Sequence, residues 1–240
     1  HDHKLLFVLD NTMTPSVMLD AKALGASLCC TSLTKYIAGH GNVLGGVVVD
    51  LGNYDWNHYA NIHDIYKQLD AQQWGITQIR KKGLRDMGAT LAPDSAHAVS
   101  IGLETLAMRI RKTCENAQAV AEYLLSRDEV VLVNYPGLSS HPQHLRAKKL
   151  FNAQFGGILS FELASSVNVR DFINRLDLIL AATHLGDTRT LILPVASTIF
   201  YENGPAQRAS MGISDTLLRM SIGIEDAQDL IDDFDTAFAV

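Results

Sequence analysis

Ser27-Leu28-Cys29-Cys30-Thr31-Ser32-Leu33-Thr34-Lys35-Tyr36 is the stretch that decides the fold. Residues 27–30 make a short apolar run that ends in hydroxyl side chains and a lysine. Working outward, residues 5–9 form a similar run closed by Asp10, and residues 43–49 a Val-rich one containing Gly45-Gly46. Such runs are continuous rather than alternating, the mark of strands covered on both faces. Between the first two, residues 16–24 read as helical, and Gly25 stops that stretch as a C-cap would. Strand, helix, strand predicts an α/β architecture, with a mostly parallel sheet and helices on both faces. The chemistry of such sheets gathers at the carboxyl ends of the strands.

The character changes from Trp74, where a polar helical pattern runs through Lys81, Lys82 and Arg85 to Gly88. Pro93-Asp94-Ser95 reads as a helix start. Residues 96–125 then carry apolar side chains at helical spacing, among them Ile101, Leu106, Ile110, Ala117, Val120 and Leu124. This predicts one helix of about 30 residues and about 45 Å that bridges two halves of the molecule. Strand-like residues 130–133, 157–163 and 217–222 alternate with a Tyr135-Pro136-Gly137 turn, a helical stretch at 169–176 and an amphipathic helix at 227–238. The expectation is a large-domain segment over 1–92 and a smaller α+β domain over 93–240.

A chain of 240 residues holds one to two domains, and 47% hydrophobic with 19% charged side chains is the composition of a packed globule. Twenty basic against twenty-six acidic residues leave a net charge of −6, which argues against a nucleic-acid binder working through bulk positive charge. No apolar run reaches the roughly 18 residues of a membrane span. Three cysteines without a CxxC pair give neither a disulfide framework nor a zinc site, so no metal is expected and a reducing cytoplasm is the default location. The chain opens His1-Asp2-His3-Lys4 and enters an apolar run at Leu5, which reads as a fragment. His1 and His3 invite a metal reading, against which stands that of a frayed terminus or tag remnant.

Lys35 follows a buried strand, with Ser32 and Thr34 at positions −3 and −1. Desolvation lowers a lysine pKa and frees the amine for a Schiff base, while the hydroxyls can donate to a phosphate. The competing reading is an exposed lysine at a strand end. Asp10 ends its strand on the same edge, two residues before Thr12; it either faces a protonated ring nitrogen or caps the next helix. Amine, acid and phosphate donors are what an aldehyde cofactor such as pyridoxal phosphate requires. His40, between Gly39 and Gly41, is a general base or part of a tight turn. Arg219 lies in an apolar strand, where it pairs with Glu225 or Asp226 or serves a ligand; Asp187 and Arg189 are spaced for an ion pair. Residues 39–46 hold no GxxxxGK phosphate loop.

Taken together, Val8-Leu9-Asp10-Asn11-Thr12, Ser32-Leu33-Thr34-Lys35-Tyr36-Ile37-Ala38-Gly39-His40-Gly41-Asn42 and Gly45-Gly46 resemble the Cys/Met-metabolism (transsulfuration) family of pyridoxal-phosphate enzymes. The resemblance continues in order through Gly102-Leu103-Glu104-Thr105-Leu106, Asn134-Tyr135-Pro136-Gly137-Leu138, Phe155-Gly156-Gly157-Ile158 and Leu185-Gly186-Asp187-Thr188-Arg189-Thr190, to Leu218-Arg219-Met220-Ser221-Ile222-Gly223. It implies an aspartate-aminotransferase-like (type I) fold and pyridoxal 5′-phosphate as cofactor. Lys35 would be the Schiff-base lysine and proton carrier, Asp10 would pair with the ring nitrogen, Thr12 would lie against the ring, and Ser32 and Thr34 would bind the phosphate. Arg219 would clamp the substrate carboxylate with a bidentate guanidinium, and Ser197 would sit beside it.

The resemblance also implies γ-replacement or γ-elimination on a homoserine-derived or sulfur amino acid, of the O-acylhomoserine sulfhydrylase or cystathionine γ-synthase type. Against that stand a methionine γ-lyase-type carbon–sulfur lyase and a non-catalytic assembly fragment. A homo-oligomer built of active-site-sharing dimers is implied as well. Two departures bear on subclass. The loop Met13-Thr14-Pro15 is shorter than usual, and Leu193-Pro194-Val195-Ala196-Ser197, followed by Phe200-Tyr201-Glu202, replaces a His-Pro-Ala-Ser pattern. The family's amino-terminal arm and first half of the large domain precede the Asp10 strand and are not in this sequence.

Overall fold

The computed structural model describes residues 3–68 and 70–239, so the metal reading of His1 lies outside the described residues. The first sheet has three strands in the order β1 (Val8–Asp10), β2 (Leu28–Ser32), β3 (Gly46–Asp50). β1 runs parallel to β2 with Asp10 opposite Cys30, and β3 runs antiparallel to β2 with Gly46 opposite Ser32. The sheet is therefore mixed among the described strands, where a mostly parallel one was expected. A parallel return needs a long crossover, usually an α-helix. After β2 the chain makes only the short turn Leu33–Ile37 and then doubles back through Gly39 and Gly41, which have φ of +74° and +62°.

Residues 16–24 are not a helix but a succession of turns, with Met18 N–H donating to the Pro15 carbonyl, Leu24 to Asp20 and Gly25 to Lys22. The Asp20 carboxylate takes the Ala23 N–H, a side-chain bond that competes with a helical ladder. Gly25, at φ +83°, closes the last turn as expected. The segment still covers one face of the sheet, where Ala21 and Ala26 pack on Cys29.

The polar helical pattern after Trp74 forms α1 (Trp74–Gln78), a π-helical turn (Ile79–Leu84) and α2 (Arg85–Met87), ended by Gly88 in the left-handed region. The single long helix expected over 96–125 is two: α3 (Pro93–Glu104) and α4 (Leu106–Leu125), interrupted at Thr105 with φ −106° and ψ 1°. The cause is a side chain inserted into the ladder. Arg109 donates from Nη2 to the Gly102 carbonyl at 2.7 Å and from Nε to Thr105 Oγ1 at 3.1 Å. Gly102 also presses on the Lys35 turn so closely that a Cβ there would meet the Ala38 carbonyl oxygen.

The second sheet has five strands in the order β4 (Val130–Asn134), β5 (Ile158–Leu163), β8 (Leu217–Ser221), β7 (Leu191–Pro194), β6 (Leu180–Ala181). Its neighbours are antiparallel except β6 with β7. In β5 the side chains alternate between buried and half-buried, so Leu159, Phe161 and Leu163 enter the core. There they meet Ala117, Val120 and Leu124 of α4, Phe172 of α6 (Val169–Asn174), and Phe234 and Phe238 of α8 (Ala227–Phe238). Each such aromatic contributes about 1.5–3 kcal/mol by leaving water. The Asp226 carboxylate caps α8 by accepting the Gln228 N–H at 2.8 Å. Strand β7 escaped the sequence reading because Pro194 falls inside it; at a strand end the missing N–H is tolerated. Two short helices, α5 (His144–Leu150) and α7 (Gly204–Ser210), were also not foreseen.

Cys29, Cys30 and Cys114 are free thiols. Among the described residues no helix is long and apolar enough to cross a membrane.

Candidate functional site

Strand β2 runs directly into the turn Leu33–Ile37, whose backbone leaves helical geometry at Lys35 (φ −90°, ψ −131°). Tyr36 and Ile37 are drawn into the interior, while Lys35 is half-buried. The turn is held from several sides. Gly39 N–H donates to the Lys35 carbonyl at 2.8 Å, and Arg109 donates from Nη1 to the Tyr36 carbonyl at 2.8 Å and from Nη2 to that of Ile37 at 3.1 Å. That guanidinium is buried and spends its protons on carbonyl oxygens and a hydroxyl.

The ε-nitrogen of Lys35 lies 3.1 Å from Nδ1 of His184. Burial lowers the amine's pKa, and the positive charge of Arg219 lowers it further. His184 is likewise pushed below its ordinary value, by burial first and by the Lys35 charge second. Arg219, on β8, donates from Nη2 to the carbonyls of Thr183 and His184 at 3.0 and 3.1 Å. The fold therefore brings Lys35, His184 and Arg219 together from three distant segments.

Asp10 and Thr12 form a second group. The Asp10 carboxylate accepts the Thr12 N–H at 2.9 Å, and Thr12 Oγ1 accepts the Ser32 N–H at 2.9 Å. The hydrogen bonds from the Thr12 side chain and N–H hold the Asp10 carboxyl below its usual range, so it is ionised at neutral pH. Of the two readings of Asp10, the cap is seen in part: it bonds the amide two residues on, with no helix following. Asp10, Thr12 and Ser32 line a cavity of about 670 Å³ with Arg80 on its wall. Thr34 faces a different cavity of about 470 Å³, lined also by His184, Asp187 and Arg189. Its hydroxyl is already engaged, accepting the Gly45 N–H at 3.0 Å and lying 3.3 Å from the Gly45 carbonyl. To donate to a phosphate, that proton must turn away from Gly45.

Contacts decide between the competing roles of the remaining polar residues. Arg219 does not pair with Glu225, whose carboxylate takes the Thr190 N–H and hydroxyl. Asp187 and Arg189 do form an ion pair, with both guanidinium contacts at 3.0 Å. Burial alone would raise the Asp187 pKa, but the bonds from Arg189 outweigh it and hold the carboxyl low. His40 sits in the tight turn, Nδ1 against the Ala38 carbonyl. Ser197 is exposed in the turns after β7 and makes no side-chain hydrogen bond among the described residues.

Two residues of this constellation escaped the sequence reading. His184 stands immediately before the Leu185-Gly186-Asp187 stretch, and no periodicity marks it. Arg109 had a signal: a cation three residues after Leu106 and next to Ile110, on the buried stripe of a helix, needs partners inside the protein.

A family model described as "Cys/Met metabolism PLP-dependent enzyme" matches residues 1–239. The chain is 37% identical over 239 residues to O-acetyl-L-homoserine sulfhydrylase 1 of Thermus thermophilus, covering 93% of this chain and 56% of that protein. It is 36% identical over 237 residues to L-methionine γ-lyase of Pseudomonas putida, covering 98% and 54%. Among solved structures, a putative O-acetylhomoserine (thiol)-lyase of Campylobacter jejuni with N′-pyridoxyl-lysine-5′-monophosphate superposes with a TM-score of 0.89 at 33% identity, covering 100% of this chain and 60% of that one. The chain thus spans a little over half the length of these curated relatives.

Proposed function

From the premise that the chain belongs to the Cys/Met metabolism family of PLP-dependent enzymes, we propose that it carries the lysine-bearing part of a pyridoxal 5′-phosphate site for γ-replacement or γ-elimination. The substrates proposed are homoserine-derived or sulfur amino acids, with O-acylhomoserine sulfhydrylase or cystathionine γ-synthase chemistry first. The 36% identity to a methionine γ-lyase keeps carbon–sulfur lyase chemistry as the second reading. The parts 1–92 and 93–240, a cytoplasmic location and a homo-oligomer of site-sharing dimers belong to the same proposal.

Two properties support the fit of these residues to that group. Lys35 offers an amine that sheds its proton more easily than an ordinary lysine, and Asp10 offers a carboxylate ionised at neutral pH. When bound, pyridoxal phosphate supplies an aldehyde for an amine and a ring that takes up electrons from the substrate carbons. Asp10 would hold the ring nitrogen's proton, Thr12 would lie against the ring, and Ser32 and Thr34 would hold the phosphate. Lys35 would take the α proton at Nζ and return it to another carbon as a general acid. Arg219, fixed by the Thr183 and His184 carbonyls, would orient the substrate carboxylate through its remaining N–H groups, with Ser197 at the substrate-side wall.

The single observation that carries this reading is the convergence of Lys35 and Arg219 on His184, the amine 3.1 Å from its Nδ1 and the guanidinium 3.1 Å from its carbonyl oxygen. The test is product analysis of the full protein with O-acetylhomoserine, O-succinylhomoserine, cystathionine and methionine, each with and without sulfide. Homocysteine formed only with sulfide supports the sulfhydrylase, and ketobutyrate from methionine moves the assignment to the lyase. A protein that binds no pyridoxal phosphate and turns over none of these contradicts both.

A further inference from the structure

The segment carrying His184 is clamped between the end of the Lys35 turn and strand β8. Thr188 N–H donates to the Gly39 carbonyl at 2.8 Å, and Gly186 N–H to Ser221 Oγ at 2.8 Å. The ring of His184 is thereby fixed against Lys35, with Nδ1 3.1 Å from the ε-nitrogen. Its other nitrogen, Nε2, is buried and has no hydrogen-bond partner among the described residues. The charged groups around the ring are Lys35 from the turn, Arg219 from β8, and Asp187 and Arg189 from its own loop. Cations outnumber carboxylates there, and Arg189 occupies both oxygens of Asp187. A protonated imidazole would be a further cation in that set. The neutral ring, by contrast, presents an unshared pair to the amine if its proton sits on Nε2.

We propose that His184 is the positioning residue of Lys35: as a neutral imidazole protonated on Nε2, it accepts a hydrogen bond from the ε-amine at Nδ1, sets the direction of that amine and tunes how readily it holds a proton. The inference rests on Lys35 being the reacting lysine of the proposed function. An acceptor at this distance favours the ammonium form, opposing the effects of burial and of Arg219. Hydrogen bonds to a charged group alter its protonation equilibrium by about tenfold, or about one pH unit. Without the imidazole, Lys35 gives up its proton at lower pH still.

The experiment follows the amine itself. Reductive methylation of Lys35 in the cofactor-free full chain, read by peptide mass spectrometry across pH, reports the midpoint at which the amine becomes reactive. His184→Leu, which removes the acceptor, should move that midpoint down by about one unit, so that labelling on its acid side is about tenfold faster. His184→Asn returns an oxygen near the Nδ1 position and should restore the wild-type profile. A wild-type profile in His184→Leu, or equal shifts in both variants, overturns the proposal. Should His184→Leu fail to fold, imidazole nitrogen NMR of the wild-type chain decides. The Nε2–H tautomer, still neutral at pH 6, is expected; an Nδ1–H tautomer, or protonation at the ordinary histidine value, overturns it. The visible absorbance of wild-type protein loaded with pyridoxal phosphate is read separately. A colourless protein counts against the proposed function, while the labelling profile still judges His184.

Discussion

The two sheets of this molecule are built on different terms. The five-stranded one is sealed on its inner face, where Phe161, Phe172 and Phe234 are almost completely removed from water and α4 and α8 close over them, while Val131 and Leu132 of its edge strand β4 stay exposed. The three-stranded one is thin and open, with Val8 48% exposed and Val49 44% exposed. Yet the open sheet carries Asp10, Thr12, Ser32 and the turn of Lys35, while the sealed one contributes Arg219. The difference teaches that Lys35 is not held by the packing of its own sheet. It is held by polar bonds reaching across from α4 and from residues 183–189.

This contrast predicts that chemistry and stability separate by region. The largest effect expected is that of Lys35→Ala on turnover in the full protein, a loss of about 10²–10⁴-fold. Its thermal unfolding midpoint should stay near that of the wild type, and a large drop would break the comparison. Phe234→Ala in the sealed core should cost about 3–5 kcal/mol of stability, measured by denaturant unfolding. Arg109→Met should cost less, about 1–3 kcal/mol, by leaving the Tyr36, Ile37 and Gly102 carbonyls without their donor. Its sharper signature is faster hydrogen exchange at the amides of Ala38 and Gly39; unchanged exchange there would sink the bracing role.

A subtler difference concerns acid. Asp187 is ionised and bonded to Arg189 in the folded protein, with its pKa held below the 3.8 of an unfolded carboxyl. A lowered folded pKa gives stability that is present above about pH 3.8 and lost as pH falls through the lower folded value. Asp187→Asn should flatten that part of the unfolding-midpoint curve, and an identical acid limb in both proteins would refute the linkage. Smallest of all, Val48→Ala on the open sheet should change stability by under about 0.5 kcal/mol.

Strand β2 and the Lys35 turn were legible because an apolar run followed by hydroxyls and a lysine is a local pattern. Helix α8 was legible from its amphipathic spacing, and its observed bounds, Ala227–Phe238, agree with those read from the sequence. Arg219 was singled out through motif order, since apolar β8 alone pointed rather to an ion pair with Glu225 or Asp226. What stayed hidden depends on long-range contacts. The break at Thr105 comes from Arg109 and the Lys35 turn acting together, and local spacing continues unbroken through it. Residues 16–24 have helical composition, but the Asp20 carboxylate and the need to span from β1 to β2 turn them into bends. His184 gains its meaning only because the chain folds it onto an amine 149 residues away.

Gly186 has room for a hydrogen and nothing larger: a Cβ there would lie 2.7 Å from the backbone nitrogen of Tyr36 and 3.1 Å from the carbonyl carbon of Lys35. Main chain thus rests directly on main chain at Lys35, with no compressible side chain between them to absorb a shift. A displacement of one sheet relative to the other would be delivered undamped to the root of the lysine. Freedom at this position lies in the reach of the lysine side chain and not in a hinge beneath it.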